Sequence, residues 1–246
     1  MSNINNYTKV KEIIKNAKYL VVFTGAGISV ESGIPVFTGN HGLWTKYDPK
    51  FIELSYFFNH PNHSWQEIKK IFYDHMLNKA QPNLAHLTIG KWFKQGIVKT
   101  VITQNIDHLH QKGGCSNVIE FHGTTKTISC TKCHTKYETS EIGLNILPPK
   151  CKKCGGLLKP DFVFYGEGIK NDVYQSAIKE ILKADVILII GTSGQVMPGN
   201  YLPIMAKQQN NPVVIEVNPS KSSFTSEIVD YYFDNKATEF FKMLNL

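Results

Sequence analysis

Two short stretches of the sequence are apolar at every position, Val186–Ile190 and residues 213–215. A β-strand with one face in water alternates apolar and polar residues, so a strand that is apolar throughout must be covered on both faces. Similar runs recur along the chain, with helical patterns between them. We predict strands at residues 19–24, 98–103, 117–121, 161–164, 185–190 and 212–217. This pattern is typical of an α/β fold, in which a parallel sheet has helices on both faces.

Signals for helix ends place three helices. Ser64 and Glu67 form the capping-box pattern ahead of a stripe of apolar residues, which predicts a helix that starts at Ser64. A second helix is predicted over residues 83–95, with Gly96 in the left-handed terminating position. A third is predicted to begin near Asn171 and to lead into the next strand.

Four of the five cysteines form two Cys-x2-Cys pairs with the spacing of a zinc ribbon. These four are Cys130, Cys133, Cys151 and Cys154. Four thiolates complete a tetrahedral shell and leave no position for water, so we predict a structural zinc ion with no catalytic role. We expect His134 to be a surface residue and Cys115 to be a packed or surface thiol rather than a nucleophile.

Two stretches depart from the alternation of strands and helices. Residues 39–80 are rich in aromatic residues and histidine, and residues 126–159 are rich in cysteine and lysine. We interpret both as insertions that form a smaller lobe, the first helical and the second the zinc ribbon. The larger lobe then comprises residues 1–38, 81–125 and 160–246 of a single domain, and a ligand is expected in the cleft between the lobes.

The charge balance is 27 basic against 20 acidic residues, a formal net charge of +7. Much of the excess lies within residues 126–159. Because a zinc ion with four thiolates is negatively charged, we interpret these lysines as counter-charge rather than as a nucleic-acid surface. No apolar run has the length of a membrane span, and the N-terminus lacks the apolar core of a secretion signal. We therefore expect a cytoplasmic, monomeric protein with reduced thiols, without a membrane partner or a direct nucleic-acid partner.

Four glycine-rich or polar segments directly follow predicted strands. They are residues 25–29, 104–107, 191–193 and 218–219. In an open parallel sheet such segments line one crevice at the carboxyl ends of the strands, which indicates a nucleotide-sized ligand. The glycine pair alone is ambiguous, because Val30 stands where the dinucleotide fingerprint needs Gly or Ala. It fits either a nucleotide site or a tight strand-to-helix turn.

His122 follows the predicted strand at 117–121 and precedes Gly123, which places its imidazole at the edge of the same crevice. An imidazole there can act as a general base near neutral pH. A histidine at a strand end is more often structural than catalytic, so position alone leaves both interpretations open.

Together these segments resemble the motifs of the sirtuin family, in the order in which that family carries them. The similar segments are residues 25–29, 31–35, 103–107, 121–123, 160–161, 164–167 and 191–193, with the two Cys-x2-Cys pairs. The resemblance extends from about Lys18 to the C-terminus. It implies a Rossmann-like larger lobe, a zinc-bearing smaller lobe and an NAD-dependent protein-lysine deacylase, foremost a deacetylase, that releases nicotinamide and O-acyl-ADP-ribose.

The resemblance also implies roles for residues toward NAD. His122 would accept a proton from a ribose hydroxyl, and Asn105 and Asp107 would hydrogen-bond the ribose and the carboxamide. The amides of the turn at Gly25 and Gly27 would approach the pyrophosphate. The residues expected to contact NAD are Gly25, Ala26, Gly27, Ser29, Glu31, Phe37, Trp44, Gln104, Asn105, Ile106, Asp107, Gly191, Thr192, Ser193, Asn218 and Ala237.

For the acyl-lysine protein or peptide, the resemblance implies binding as a strand added to residues 163–167, with the acyl-lysine in an apolar tunnel. The residues expected to contact it are Tyr73, Met76, Val163, Phe164, Tyr165, Gly166 and Glu167. Family members that prefer succinyl or malonyl groups carry Tyr-x-x-Arg where this chain has Tyr73 and Met76. Because methionine cannot pair with a carboxylate, we expect a neutral acyl group.

Thr38 departs from the family pattern, which usually has arginine at this position. Threonine cannot supply the bidentate cation expected near the ribose and phosphates of NAD. Three explanations are open: a slow deacylase, a substitute cation such as Lys46, or a specialised or engineered variant. Two other functions stay as alternatives. One is an ADP-ribosyltransferase or NAD glycohydrolase, and the other is a non-enzymatic zinc-ribbon protein that binds nucleotide.

Overall fold

Nine strands and eight α-helices make up the described part of the chain, which comprises residues 2–39, 42–77 and 79–245 of a computed structural model. The strands are β1 (Leu20–Thr24), β2 (Val98–Thr103), β3 (Val118–Glu120), β4 (Gly123–Cys130), β5 (Lys136–Glu138), β6 (Leu158–Phe162), β7 (Val186–Ile190), β8 (Val213–Val217) and β9 (Tyr231–Phe233). The α-helices are α1 (Ser2–Asn16), α2 (Leu54–Asn59), α3 (Pro61–Ile68), α4 (Leu84–Lys94), α5 (Leu109–Lys112), α6 (Asn171–Ile181), α7 (Tyr201–Asn210) and α8 (Ala237–Leu244). Single-turn 3-10 segments and one π-helical segment complete the chain, at Ala26–Ser32, Leu43–Thr45, Pro49–Ile52, Lys69–Leu77 and Thr139–Glu141.

Six strands form one parallel sheet in the order β3-β2-β1-β7-β8-β9. Successive residues of its central strands point to opposite faces, and both faces are buried. Val22 and Leu188 pack with α1, α4 and α8, whereas Val21 and Ile187 pack with α6 and α7. The predicted α/β architecture is therefore confirmed. Five of the predicted strands lie within one residue of the observed bounds at each end.

The smaller lobe has its own core and its own sheet. Strands β5, β4 and β6 pair antiparallel in that order, and their apolar face packs against Trp65 and Phe72. The strand predicted at 161–164 was wrong in its bounds, because the strand is Leu158–Phe162, and it belongs to the small sheet, where it pairs antiparallel with β4. Its exposed and half-buried residues alternate with buried ones, as expected for a sheet with one wet face.

The small sheet extends past the predicted zinc-ribbon insertion at both ends. β4 begins at Gly123 and β6 ends at Phe162, whereas the insertion was predicted over residues 126–159. Both strands therefore join the lobes directly. The division of the chain into two lobes at the predicted boundaries stays a prediction.

The helix predicted to start at Ser64 begins earlier. α3 starts at Pro61, because proline is favoured in the first turn of a helix, where its missing N–H has no bond to lose. Ser64 therefore lies inside the helix, buried, and its hydroxyl has no partner among the described residues. The helix continues in π geometry over Lys69–Leu77.

The other two predicted helices are confirmed. Asn83 caps α4 by accepting hydrogen bonds from the first-turn amides, and Gly96 follows the helix with a φ of 75°. α6 begins at Asn171, as predicted. No helix within the described ranges is long and apolar enough to cross a membrane.

The order of the main sheet reverses between β1 and β7. The chain proceeds from β1 to β2 and β3 on one side, and from β7 to β8 and β9 on the other. Loops that leave the carboxyl ends of β1 and β7 therefore diverge and open a crevice. Such a point of reversal is the usual ligand site of an open parallel sheet.

Candidate functional site

The loops that follow β1 and β7 touch each other at this crevice. Gly25 N donates to Ile190 O (3.0 Å), and Gly27 N donates to Gly191 O (2.8 Å). The approach requires glycine, because a Cβ on Gly27 would lie 2.6 Å from the Gly191 Cα. These bonds use the amides of Gly25 and Gly27, which were expected to approach a phosphate. The contact of this turn with the pyrophosphate stays a prediction, for which the amide of Ala26 is the remaining donor of the three.

The two other polar segments, residues 104–107 and 218–219, lie at the same edge of the crevice, which we call the rim. Gln104 N donates to Thr24 O (2.9 Å), Thr192 Oγ1 donates to Gln104 Oε1 (2.9 Å), and Asn218 Nδ2 donates to Thr192 O (3.1 Å). Ser193 is exposed beside them. The four segments predicted to share one crevice therefore meet. Gln104 Nε2 is buried without a partner among the described residues, and such a donor is suited to an acceptor on a ligand.

A buried polar group lies at the centre of the rim. Ser29 Oγ donates to Asp107 Oδ2 (2.6 Å), and Asn105 Nδ2 donates to Gly25 O (3.1 Å) and lies 3.2 Å from Ser29 Oγ. Burial raises the pKa of Asp107, while hydrogen bonds from Ser29 and from Leu109 N lower it. The side chains of Asn105 and Asp107 are thus fixed before any ligand binds.

Two buried histidines extend this group, and the sequence analysis missed both. His86 Nε2 lies 3.5 Å from Ser29 Oγ, and its ring packs against the ring of His110, with centroids 5.0 Å apart. His110 Nε2 lies 2.9 Å from Thr24 Oγ1. Burial lowers the pKa of His86 to about 4 and the pKa of His110 well below its ordinary value, so both are neutral at pH 7. One signal in the sequence could have pointed to His86, because this residue stands in the first turn of a predicted helix, three residues after the capping Asn83.

His122 lies in the turn between β3 and β4. Its Nδ1 is 3.0 Å from Gln104 O. A carbonyl oxygen can only accept, so Nδ1 carries the proton and Nε2 keeps its lone pair. Burial lowers the pKa of His122, and the hydrogen bond to Gln104 opposes that shift. The neutral ring with a free Nε2 is the form in which histidine acts as a base.

A narrow cavity adjoins Asn105 and Asp107. It is lined by Ala26, Ile34, Phe37, Phe72, Asn105, Ile106 and Asp107. Phe37 packs in turn against Trp44, with ring centroids 5.5 Å apart. Apolar walls with an amide and a carboxyl group at one end suit a planar ring that carries a polar substituent.

The segment 163–167 lies beside the imidazole. Val163 N donates to His122 O (2.9 Å). Tyr165 N donates to Ile52 O and Tyr165 O accepts from Leu54 N, both at 2.9 Å. One backbone edge of the segment is therefore already paired, and an added strand would have to use the other edge.

A partly buried ion pair stiffens the same segment. Glu167 Oε2 accepts from Phe164 N (2.9 Å) and from Lys159 Nζ (2.8 Å). The lysine side chain is 11% exposed and the glutamate side chain 33%, so water screens this pair less than a pair on the open surface. These contacts bind the turn to itself without using the backbone of Gly166.

Tyr73 does not line this cavity, and its expected contact with the acyl-lysine stays a prediction. Its side chain is buried in the small-lobe core, and its hydroxyl donates to Thr125 O (3.2 Å). Burial raises the pKa of Tyr73, so the hydroxyl stays protonated. Phe72, its neighbour in the π-helical segment, lines the cavity. The side chain of Met76 lies outside the part of the chain that the structure describes.

Glu31 was expected to contact NAD, but its carboxylate is used within the protein. Its two oxygens accept from Thr238 N (3.0 Å) and Thr238 Oγ1 (2.5 Å). Ala237 lies beside this contact as the buried first residue of α8. Glu31 therefore caps α8, where a carboxylate near a helix N-terminus is favourable, and its contact with NAD stays a prediction.

The four cysteines of the two Cys-x2-Cys pairs converge in the smaller lobe. Their sulfur atoms all lie within 4.8 Å of one another, with 3.5 Å between Cys130 and Cys154 and 3.6 Å between Cys133 and Cys151. A tetrahedral zinc ion with Zn–S bonds of about 2.3 Å places sulfurs about 3.8 Å apart, so the donor set fits. Cys115 is buried in the core of the larger lobe, and burial raises its pKa to about 11.

The sequence of this chain is similar to a known protein family and to individual proteins of that family. A model of the Sir2 family matches residues 25–198. NAD-dependent protein deacylase 1 of Archaeoglobus fulgidus is 40% identical over 237 residues, which cover 94% of this chain and 93% of that protein. NAD-dependent protein deacetylase of Saccharolobus solfataricus is 40% identical over 232 residues, which cover 92% of this chain and 90% of that protein.

Solved structures show the same fold. A Sir2 homologue in complex with NAD has a TM-score of 0.86 and 38% identity, covering 97% of this chain and 92% of its own. A Sir2 mutant with a deacetylated p53 peptide and 3′-O-acetyl-ADP-ribose has a TM-score of 0.88 and 31% identity, covering 96% of each chain.

Proposed function

Because the chain belongs to the Sir2 family, we propose that it removes acyl groups, acetyl foremost, from protein lysines with NAD as co-substrate, and that His122 is the general base. The chain is an NAD-dependent protein-lysine deacylase. The free Nε2 of His122 is the observation that supports its role as the general base, because it lies at the rim formed by the four loops. The four cysteines bind one structural zinc ion.

The residues at the crevice fit NAD. Glycines 27 and 191 let the loops after β1 and β7 touch and so form the floor of the crevice, and the unpartnered Gln104 Nε2 can donate to an acceptor on NAD. Ala26, Ser193 and Asn218 would hold the phosphates and the adenosine, and the cavity beside Asn105 and Asp107 would hold the nicotinamide. When bound, NAD supplies an electrophilic ribose carbon that takes up the acyl oxygen as nicotinamide leaves.

The residues of this chain orient the reactants and move one proton. His122 Nε2 accepts a proton from a ribose hydroxyl, and Gln104 O holds the Nδ1 proton in place. Ser29 fixes the carboxyl group of Asp107, so it cannot rotate away from the cavity. The buried walls exclude water, which favours transfer of the acyl group over hydrolysis of NAD.

The pH dependence of the reaction follows from the state of His122. The neutral imidazole is the active form, and burial lowers the pKa of His122 below its ordinary value of 6.5. kcat/KM for an acetyl-lysine peptide is therefore expected to be level at pH 7 and above, and to fall as the pH drops through a value below 6.5. A pH–rate profile measures this midpoint, and a midpoint above 6.5 would contradict the assignment.

The proposed function is tested by incubating the protein with NAD and an acetyl-lysine peptide, followed by mass spectrometry. We expect the peptide to lose one acetyl group and O-acetyl-ADP-ribose to form. ADP-ribosylated protein would instead indicate a transferase, and free ADP-ribose with intact peptide a glycohydrolase. Neither peptide nor NAD would change if the chain only bound nucleotide.

The acyl preference is expected to be neutral. The chain has methionine at position 76, and the tyrosine at 73 donates its hydroxyl to Thr125 O, so neither supplies a cation for a carboxylate. Acetyl- and myristoyl-lysine peptides should therefore have a kcat/KM at least about tenfold above that of the succinyl peptide, the cost of an unpaired charge in a closed site. Equal or better use of the succinyl peptide would overturn this preference.

The sequence contains no arginine, so all 27 basic residues are lysines. A cation that substitutes for the arginine missing at Thr38 must therefore be a lysine. We propose Lys46 for this role, because it follows the Trp44 turn and is exposed, as Thr38 is. As a point charge, a lysine can neutralise a phosphate without bidentate geometry.

We also propose that the enzyme is a cytoplasmic monomer that does not bind nucleic acid directly. Several lysines around the zinc ribbon are paired locally, Lys136 with Asp161 at 3.7 Å and Lys126 with Glu138 at 3.9 Å. The absence of arginine also removes the side chain best suited to reading guanine. None of the five cysteines, all of which lie in the described ranges, forms a disulfide, which suits a reducing compartment.

A further inference from the structure

Phe37 and Trp44 form one structural unit at the mouth of the nicotinamide cavity. Leu43 N donates to Val36 O (2.7 Å), and Trp44 N donates to Phe37 O (3.0 Å). The two rings also pack together, with centroids 5.5 Å apart. A displacement of Trp44 therefore moves Phe37, which lines the cavity.

Tyr165 is held firmly at its backbone but its side chain reaches outward. The backbone bonds to Ile52 and Leu54 fix the residue, and its ring is 50% exposed. The hydroxyl accepts a hydrogen bond from Trp44 Nε1 (3.1 Å), and the two rings meet nearly edge-on with centroids 6.4 Å apart. A rigid strand segment thus holds the indole ring through one phenolic oxygen.

From this geometry we propose that the Tyr165 hydroxyl positions the unit of Phe37 and Trp44 over the cavity and so couples the sites of the two substrates. The inference rests on the proposed function, which assigns the cavity to NAD, and on the expectation from the sequence that residues 163–167 bind the acylated peptide. A peptide on this segment limits the motion of the exposed Tyr165 side chain. Through its hydroxyl, this side chain then limits the motion of Trp44. Each substrate thereby binds more tightly when the other is present, and the effect is equal in both directions.

The variant Tyr165→Phe tests this role, because it keeps the ring and removes the hydroxyl. We expect the KM for NAD to rise about three- to tenfold, the range that the loss of one hydrogen bond gives. The dissociation constant of ADP-ribose, measured with and without acetyl-lysine peptide, should differ in the wild type and become nearly independent of the peptide in the variant.

Tryptophan fluorescence gives a readout that does not need turnover. The chain has three tryptophans, and Trp65 and Trp92 are 0% and 1% exposed, so acrylamide reaches mainly Trp44. In the substrate-free protein, Tyr165→Phe should increase acrylamide quenching because the indole is no longer held. Tyr231→Phe is the matched control. Tyr231 is the first residue of β9, so it lies at the amino-terminal edge of the main sheet, whereas the crevice lies at the carboxyl-terminal edge.

A double-mutant cycle completes the test. Trp44→Phe and the double variant with Tyr165→Phe should have the same KM for NAD, because either change removes the same hydrogen bond. Unchanged quenching and an unchanged ADP-ribose affinity in Tyr165→Phe would overturn the inference. If the wild type does not deacylate any peptide but Tyr165→Phe still increases quenching, the hydrogen bond holds Trp44 as inferred and the proposed function fails separately.

Discussion

Replacing His122 by alanine is expected to lower kcat by about 10²- to 10⁴-fold, the contribution typical of a positioned general base. The affinity for ADP-ribose should change by less than about threefold, because the loops that form the crevice are held by bonds that do not involve this side chain. Steady-state kinetics and calorimetry measure the two quantities on the same preparation.

His122→Asn separates the base from the scaffold. An asparagine amide can still donate to Gln104 O, but it has no basic nitrogen, so this variant should be as inactive as the alanine variant. His63→Ala is the matched control, since His63 is an exposed histidine on α3. Near-wild-type turnover in His122→Asn would show that this ring is not the base.

Replacing Cys151 by serine is expected to abolish zinc binding and to unfold the smaller lobe. Structural zinc contributes about 10–16 kcal/mol in zinc-finger peptides, which is as large as the whole stability of an ordinary domain. Cys130 and Cys151 also belong to the core that contains Trp65 and Phe162. The loss should therefore reach residues 163–167, whose Phe164 packs in the same core, and eliminate deacylation, with a lower Tm and reduced ellipticity.

Cys115→Ala is the control for this experiment. Cys115 is buried in the larger lobe, apart from the four-cysteine cluster, so its removal should leave the zinc content at one ion per chain. Elemental analysis measures that content. A Cys151→Ser protein that keeps the wild-type Tm and activity without zinc would refute the structural role of the metal.

The hydrophobic pattern of the sequence was sufficient to predict the central strands of the main sheet, but it was not sufficient to predict the strands of the small sheet. β7 is buried at every position, and this burial on both faces is what a uniformly apolar run indicates. The run at 161–164 looks similar in the sequence, yet its strand is Leu158–Phe162 and pairs with β4. The identity of a pairing partner depends on contacts between distant residues, which a local pattern does not contain.

The same limit applies to individual side chains. Ser64 carries a capping-box pattern, but Pro61 starts the helix first. Glu31 lies within a segment that resembles a sirtuin motif, and that segment does not reveal that the carboxylate accepts from Thr238, which is distant in sequence. The four rim loops could be predicted because strand order in a parallel sheet places them together, whereas His86 and His110 join the site only through side-chain packing.

The pairing of Leu20 with Val186 in the main sheet has a consequence for protein synthesis. The glycine turn at 25–27 leaves the ribosome long before its partner at Gly191 is translated. A nascent or prematurely terminated chain therefore lacks one wall of the crevice, even though His122 and all four cysteines are already present. We expect that such incomplete products do not consume NAD, and that turnover begins only when residues 186–246, about the last quarter of the chain, have been made and have docked.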